Sequence, residues 1–331
     1  MPRFHEQAPQ AVIYHAFFIV GPCKVLLPFF FAGLVIIEDF SWLALDSTMN
    51  LAESICITII AFVMVYLIAK KLRGNPSKRS VKPDKVVLHQ FPRSHVFWPG
   101  VLSGSPPCLK LETFLRMVKI PYENDLRIVY SKKGKMPWIE FNGQEIADSN
   151  FCVQFLSKEF QVDADSHLSA TERGIAHSIL IMLEENTYWT MVYARYIDDY
   201  GAEFRKKLFG MFFFPLNYWV RFNLLRTTKN YLWSHGIGRH TSQEIYEIAE
   251  RDLLAVSQLL GQKNFLFGDK PCLADAALFG FMVGCTWSLP DSPITKVVKT
   301  KAQNLDQHTQ RMKELLYPDW EELLLEKEKT D

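Results

Sequence analysis

Two short stretches hold the residues that could do chemistry. Ser105-Pro106-Pro107-Cys108 places a hydroxyl and a thiol one helical turn apart, and Asp148-Ser149 places a carboxylate beside a hydroxyl. Each stands where a helix should begin. A helix N-terminus carries partial positive charge and unpaired N–H groups, so it favours a thiolate, an activated hydroxyl or a bound carboxylate. Because the first position is Ser105, this S-x-x-C cannot close a disulfide, which argues against a dithiol mechanism. Two readings of the pair stand. Ser105 activates a bound thiol with Cys108 as a reactive neighbour, or Ser105 caps the helix and Cys108 is a small buried hydrophobe.

The elements that must position these residues follow from local rules. Met136-Pro137 precedes the apolar strand Trp138-Ile139-Glu140-Phe141, and a proline at a strand entrance is a place where a cis peptide is tolerated. Asn142-Gly143 is the favoured pair for a two-residue type I′ hairpin, so Gln144 to Ala147 returns antiparallel. Asp148-Ser149 then caps a helix whose apolar stripe is Phe151, Val153, Phe155, Leu156 and Phe160. Upstream, Lys85 to Phe91 reads as a buried strand. Ser105 opens a helix with Pro106 at its first position and Leu109, Leu111, Phe114, Leu115 and Val118 on its packing side. Pro121 to Ile128 gives a polar edge strand.

Downstream the pattern is helical. Ser169-Ala170-Thr171-Glu172 and Thr241-Ser242-Gln243-Glu244 match capping boxes. The first opens a helix running toward Tyr200, with Ile175, Ile179, Leu183, Thr187, Met191 and Ile197 on or near one face. Glu184 to Trp189 concentrates acids and aromatics, either lining a cleft or forming a packing seam. Phe209 to Trp219 is unusually aromatic and is followed by Arg221, Arg226 and Lys229. Such a patch suits helix packing, or rest against a membrane surface or a partner.

In 331 residues the charges nearly cancel, to a net of +1, which argues against nucleic acid as a general partner. Six cysteines without a CxxC or zinc-like spacing indicate neither a disulfide framework nor a metal site. Residues 1–73 read as a membrane-anchoring region with candidate spans at 11–37 and 51–69. The second ends in Lys70, Lys71 and Arg73, a basic flank that places the following chain in the cytosol. One span or a two-span hairpin both satisfy this. Residues 74–84 read as a polar linker.

The order of Pro137, strand, Asn142-Gly143, strand, Asp148-Ser149 and helix resembles the thioredoxin-like half of the glutathione transferase superfamily. That implies an α/β thioredoxin-like domain over 85–162 and an all-α transferase-type domain over 163–325, preceded by the transmembrane helix or helices. Phe265 to Gly280 adds to the resemblance, with Gly268, Asp269, Pro271, Ala274 and Asp275 matching the loop and cap of the central helix. Cys272 stands where Ser or Thr is usual. The wording SPPCLKLETFLRM, GKMPWIEFNG, EENTYW and HGIGRHTSQEIY is similar to the failed axon connections family, relatives of metaxins.

The resemblance implies glutathione as a ligand that need not be required, held by the Met136-Pro137 backbone and by Asp148 and Ser149. It makes Ser105 and Cys108 the catalytic candidates and Asp275 a structural cap. It also implies a membrane setting, a protein partner, a homodimer as transferases commonly form, and, for some members, a role in axon development. A binding or scaffold role is the favoured expectation, with glutathione-dependent transfer through Ser105 or Cys108 as the alternative.

Overall fold

Four short strands are laid in the order β2-β1-β3-β4, where β1 is Val86–His89, β2 Tyr122–Asp125, β3 Trp138–Phe141 and β4 Gln144–Ala147. The computed structural model describes residues 84–93, 100–210, 212 and 216–325. The candidate spans at 11–37 and 51–69 and nearly all of the linker at 74–84 lie outside them. Among the described residues no helix is long and apolar enough to cross a membrane.

The central strand β1 is parallel to β2 and antiparallel to β3. The hairpin to β4 turns at Asn142 and Gly143, whose φ values of 48° and 78° are those a type I′ turn needs. Strand β2 is the polar edge. Helix α1 (Pro106–Met117) and helix α2 (Ser149–Glu159) close this half. Its core joins Val86, Leu88, Ile139 and Phe141 from the sheet to Leu111, Phe114 and Leu115 of α1 and Cys152, Val153 and Leu156 of α2. One expected stripe residue departs: Phe151 is 55% exposed and Cys152 takes the inward place.

The helical half runs α3 (Ala170–Met182), α4 (Tyr188–Tyr196), α5 (Ala202–Gly210), α6 (Leu216–His235), α7 (Ser242–Leu260), α8 (Leu273–Met282), α9 (Pro293–Lys301), α10 (Gln303–Leu316) and α11 (Trp320–Leu324). Both capping boxes form, Ser169 with Glu172 and Thr241 with Glu244. The helix expected to run from Ser169 toward Tyr200 is instead interrupted by a π turn at Leu183–Thr187. Ile175, placed on its buried face by spacing, is 41% exposed, while Leu183, Thr187 and Met191 are buried.

Helix α8 is the axis of this half, with every residue after Leu273 buried. It lies against α1, so the two halves share a seam rather than a linker. The chain's end reinforces it. Arg116 of α1 holds Asp319 with two hydrogen bonds of 2.6 and 2.9 Å, and Thr113 meets the hydroxyl of Tyr317 at 2.9 Å.

Candidate functional site

Helix α1 begins at Ser105, whose extended backbone puts it at the cap position ahead of Pro106 and Pro107. Its side chain makes no capping hydrogen bond, contrary to the capping expectation. Pro107 removes the N–H of the second helical position, one of the two donors such a cap can use, and leaves only the Cys108 amide. Instead the Ser105 hydroxyl bonds to Cys108, and its own amide donates to Ser103 Oγ at 3.2 Å. Cys108 has no exposed surface. Burial pushes its thiol up to about 12, against the smaller opposing effects of Ser105 and the Phe91 backbone. The thiol is therefore protonated at neutral pH, whereas a nucleophilic cysteine needs its thiolate accessible.

Across from α1, the Met136-Pro137 bond is cis. The loop is fastened from both sides, by Trp138 Nε1 donating to the Val129 carbonyl at 2.7 Å and by the Lys135 amide donating to Ser131 Oγ at 3.0 Å. Asp148 caps α2. Its Oδ1 accepts the amides of Asn150 and Phe151 at 3.0 and 3.4 Å, and its Oδ2 meets Lys135 Nζ at 2.6 Å. Burial opposes ionisation of Asp148, but Lys135 and the two amides outweigh it and hold the carboxyl below its usual range. Ser149, one position before the capped amides, is at the wall of the cavity beside them.

That cavity lies between the two halves and is bounded by Ser105, Met136, Pro137, Asp148 and Ser149. Five of the residues singled out by sequence thus meet there. Cys108 does not line it, and Asp275 lies elsewhere. The cavity holds about 80 Å³, several times the roughly 10–15 Å³ that one ordered water needs. Its far wall comes from the helical half, where Glu184, Tyr188, Trp189 and Phe281 complete it. Glu184, Tyr188 and Trp189 of the 184–189 cluster are thus part of the cleft, and Glu185 does not line it.

Residues that sequence reasoning passed over also contribute: Lys110, Tyr130, Lys135 and Asn150. Lys110 is buried in α1, pairs with Glu184 and donates to Asn150 Oδ1 at 2.7 Å, while Asn150 Nδ2 donates to Glu184 Oε2 at 2.7 Å. Lys110 stands between Leu109 and Leu111 of the packing side, and a lysine buried there must find a partner. Burial keeps the hydroxyl of Tyr130 protonated well above its ordinary range.

Asp275 works inside the helical half. Its Oδ2 accepts the Cys272 amide at 2.9 Å, its Oδ1 accepts the Leu266 amide at 2.9 Å, and His308 Nε2 lies 2.7 Å from Oδ1. It anchors the loop and the start of α8 even though Cys272 replaces the usual hydroxyl.

A four-stranded thioredoxin-like half, a cis-proline loop facing a capped helix start and an all-helical half around a buried axis define a glutathione transferase fold. Residues 106–201 match the glutathione S-transferase N-terminal domain and residues 249–312 the glutathione S-transferase C-terminal domain. The solved beta-etherase LigF from Sphingobium sp. strain SYK-6 shares the fold, with a TM-score of 0.51 and 14% identity over 72% of this chain and 98% of that one. Among curated proteins, Failed axon connections of Drosophila melanogaster is 35% identical over 266 residues, 75% of this chain and 62% of that protein. The metaxin-2 homolog of Caenorhabditis elegans is 29% identical over 180 residues, 53% of this chain and 79% of its own length. By these matches the chain is similar to the metaxin-like glutathione transferase folds, Failed axon connections among them, and it spans 62% of that relative's length.

Proposed function

We propose that the chain is a membrane-anchored protein whose transferase-type domain faces the cytosol and works by binding partners, in a scaffold role, rather than by catalysis. The observation that carries this reading is Cys108, which has no exposed surface and a thiol held protonated by burial. Both carboxylates at the cavity wall are also committed, Asp148 to Lys135 and Glu184 to Lys110. The anchor is Leu51 to Ala69 with its basic flank, and the domains divide at 85–162 and 163–325. A role in axon development comes from likeness to the relative named Failed axon connections. Alkaline carbonate extraction of membranes carrying the full chain tests the anchor: retention in the pellet is expected, and release into the supernatant contradicts it.

A second reading, glutathione-dependent transfer, is favoured by one specific observation. Ser105, Met136, Pro137, Asp148 and Ser149 line a single cavity. On this reading the Pro137 loop and Ser149 hold glutathione and Ser105 faces its sulfur. A ligand that binds the native state raises its stability, by about 2.7 kcal/mol at a hundred times its Kd. Millimolar glutathione should then raise the Tm of the full chain, and Ser149→Ala should abolish the rise. An unchanged Tm removes this reading.

A further inference from the structure

Between Glu203 and Glu244 the sequence contains no Asp or Glu, although the chain as a whole is nearly neutral. The same stretch carries Arg205, Lys206 and Lys207, then Arg221, Arg226 and Lys229. Helix α6 lies at its centre. Thr228 and Leu232 are its buried residues, and Val220, Leu224, Leu225 and Tyr231 pack half-buried against the core, which leaves the opposite side of the helix uncovered.

What α6 exposes is ordered. Tyr218, Phe222 and Trp233 are 65, 62 and 59% exposed. Arg226 and Lys229 are exposed between them. The steps from 218 to 222, 226, 229 and 233 are of four, four, three and four residues, which keeps all five side chains on one face of a helix. That face is roughly 22 Å long at 1.5 Å per residue. The Arg226 guanidinium lies 5.9 Å from the centre of the Phe222 ring, and Arg239 lies 5.3 Å from that of Trp233. Ring and charge thus sit at one level.

We propose that this face of α6 rests on an anionic lipid surface. The basic groups supply attraction to phosphate and carboxylate headgroups, and the aromatic rings enter the boundary between headgroups and acyl chains. Rings with a polar tip, as in Tyr218 and Trp233, favour that boundary. Basic charge alone would equally suit RNA or an acidic protein. Three large exposed aromatic side chains interleaved with it on one helix face favour lipid. The contact is separate from the anchor at 51–69 and does not depend on it. Together the two would hold the transferase-type domain in a fixed orientation.

The test uses the full chain with vesicles of phosphatidylcholine alone or of phosphatidylcholine with phosphatidylserine. Acetylation of Lys229 is read by mass spectrometry against the exposed Lys263. A several-fold fall in Lys229 labelling with the anionic vesicles only is expected. It should be lost in Arg226→Gln/Arg239→Gln, since each basic residue near such a surface is worth roughly a fivefold change in partition. Equal labelling with and without both vesicles overturns the proposal, as does equal protection by neutral vesicles. Protection by RNA or polyaspartate without protection by vesicles also overturns it, reassigning the face to those partners. Alkaline carbonate extraction of the same samples reports the anchor separately: a released chain with protected Lys229 sinks the anchor and supports α6, and a retained chain with unprotected Lys229 does the reverse.

Discussion

A Cβ placed on Gly280 of α8 would lie 2.6 Å from the carbonyl oxygen of Pro106 in α1, closer than real Cβ atoms approach a backbone. One turn on, a Cβ at Gly284 would meet the Pro106 ring at 3.0 Å. The two glycines let α8 lie directly against the start of α1, the end that carries Ser105. The seam between the halves and the wall of the cavity therefore depend on the same absent side chains.

Gly280→Ala should lower stability by about 1–3 kcal/mol, the usual cost of overpacking a rigid site. Gly174→Ala in α3 is the control. Nothing lies within 4 Å of a Cβ there, and alanine gains about 1 kcal/mol in helix propensity. Urea denaturation of the two variants should move in opposite directions. A neutral Gly280→Ala would show that the seam can open without penalty.

Asp275→Ala should be among the most damaging single changes in the helical half. It strips acceptors from two buried amides and leaves His308 without its partner. Each buried donor left without its acceptor costs about 1–3 kcal/mol, and the change strips at least the two amides at once. Asp269→Ala, on the exposed part of the same loop, should stay within about 0.5 kcal/mol of the parent. Similar denaturation midpoints for both variants would contradict the role assigned to Asp275.

Acid sensitivity should trace in part to Asp148. Its carboxyl is held below its ordinary range in the folded protein, and an unfolded aspartate titrates near about 3.9. The ionised form therefore contributes stability above that pH, and the contribution is lost as pH falls through the lower folded value. Asp148→Asn should lower Tm at neutral pH and flatten the fall in Tm on acidification. Parallel acid limbs for parent and variant would contradict the Lys135–Asp148 pairing.

Cysteine chemistry should be quiet. Cys108, Cys152, Cys272 and Cys285 are all buried, and burial raises each thiol above its ordinary range. Iodoacetamide at neutral pH should leave these four unmodified in the folded chain and label them in denaturant. Rapid labelling of native Cys108 would contradict the burial on which the non-catalytic reading rests.

The thioredoxin-like half was legible because its signals are local. Asn142-Gly143 dictates its turn, Pro137 marks the strand entrance, and Asp148 caps the two amides next to it. Asp275 was legible for the same reason, as its bond back to Cys272 spans three residues. What escaped depended on distance or on phase. Lys110 and Glu184 are 74 positions apart, so nothing local announces their pairing. The π turn at Leu183–Thr187 shifts the helical phase, so a single periodicity could not describe both α3 and α4. Phe151 lies one position from the buried Cys152, an offset that spacing alone resolves poorly. The role of Gly280 and Gly284 also escaped, because it depends on Pro106, which lies far away in sequence and packs against them only in the fold.

A conjugation assay tests most directly the proposed role of binding without catalysis. The purified full chain, with millimolar glutathione and a chlorodinitrobenzene electrophile, should form conjugate no faster than the protein-free mixture. Ser105→Ala should leave that rate unchanged. Conjugation at an ordinary enzymatic rate, removed by Ser105→Ala, would contradict the account and make the cavity a working active site.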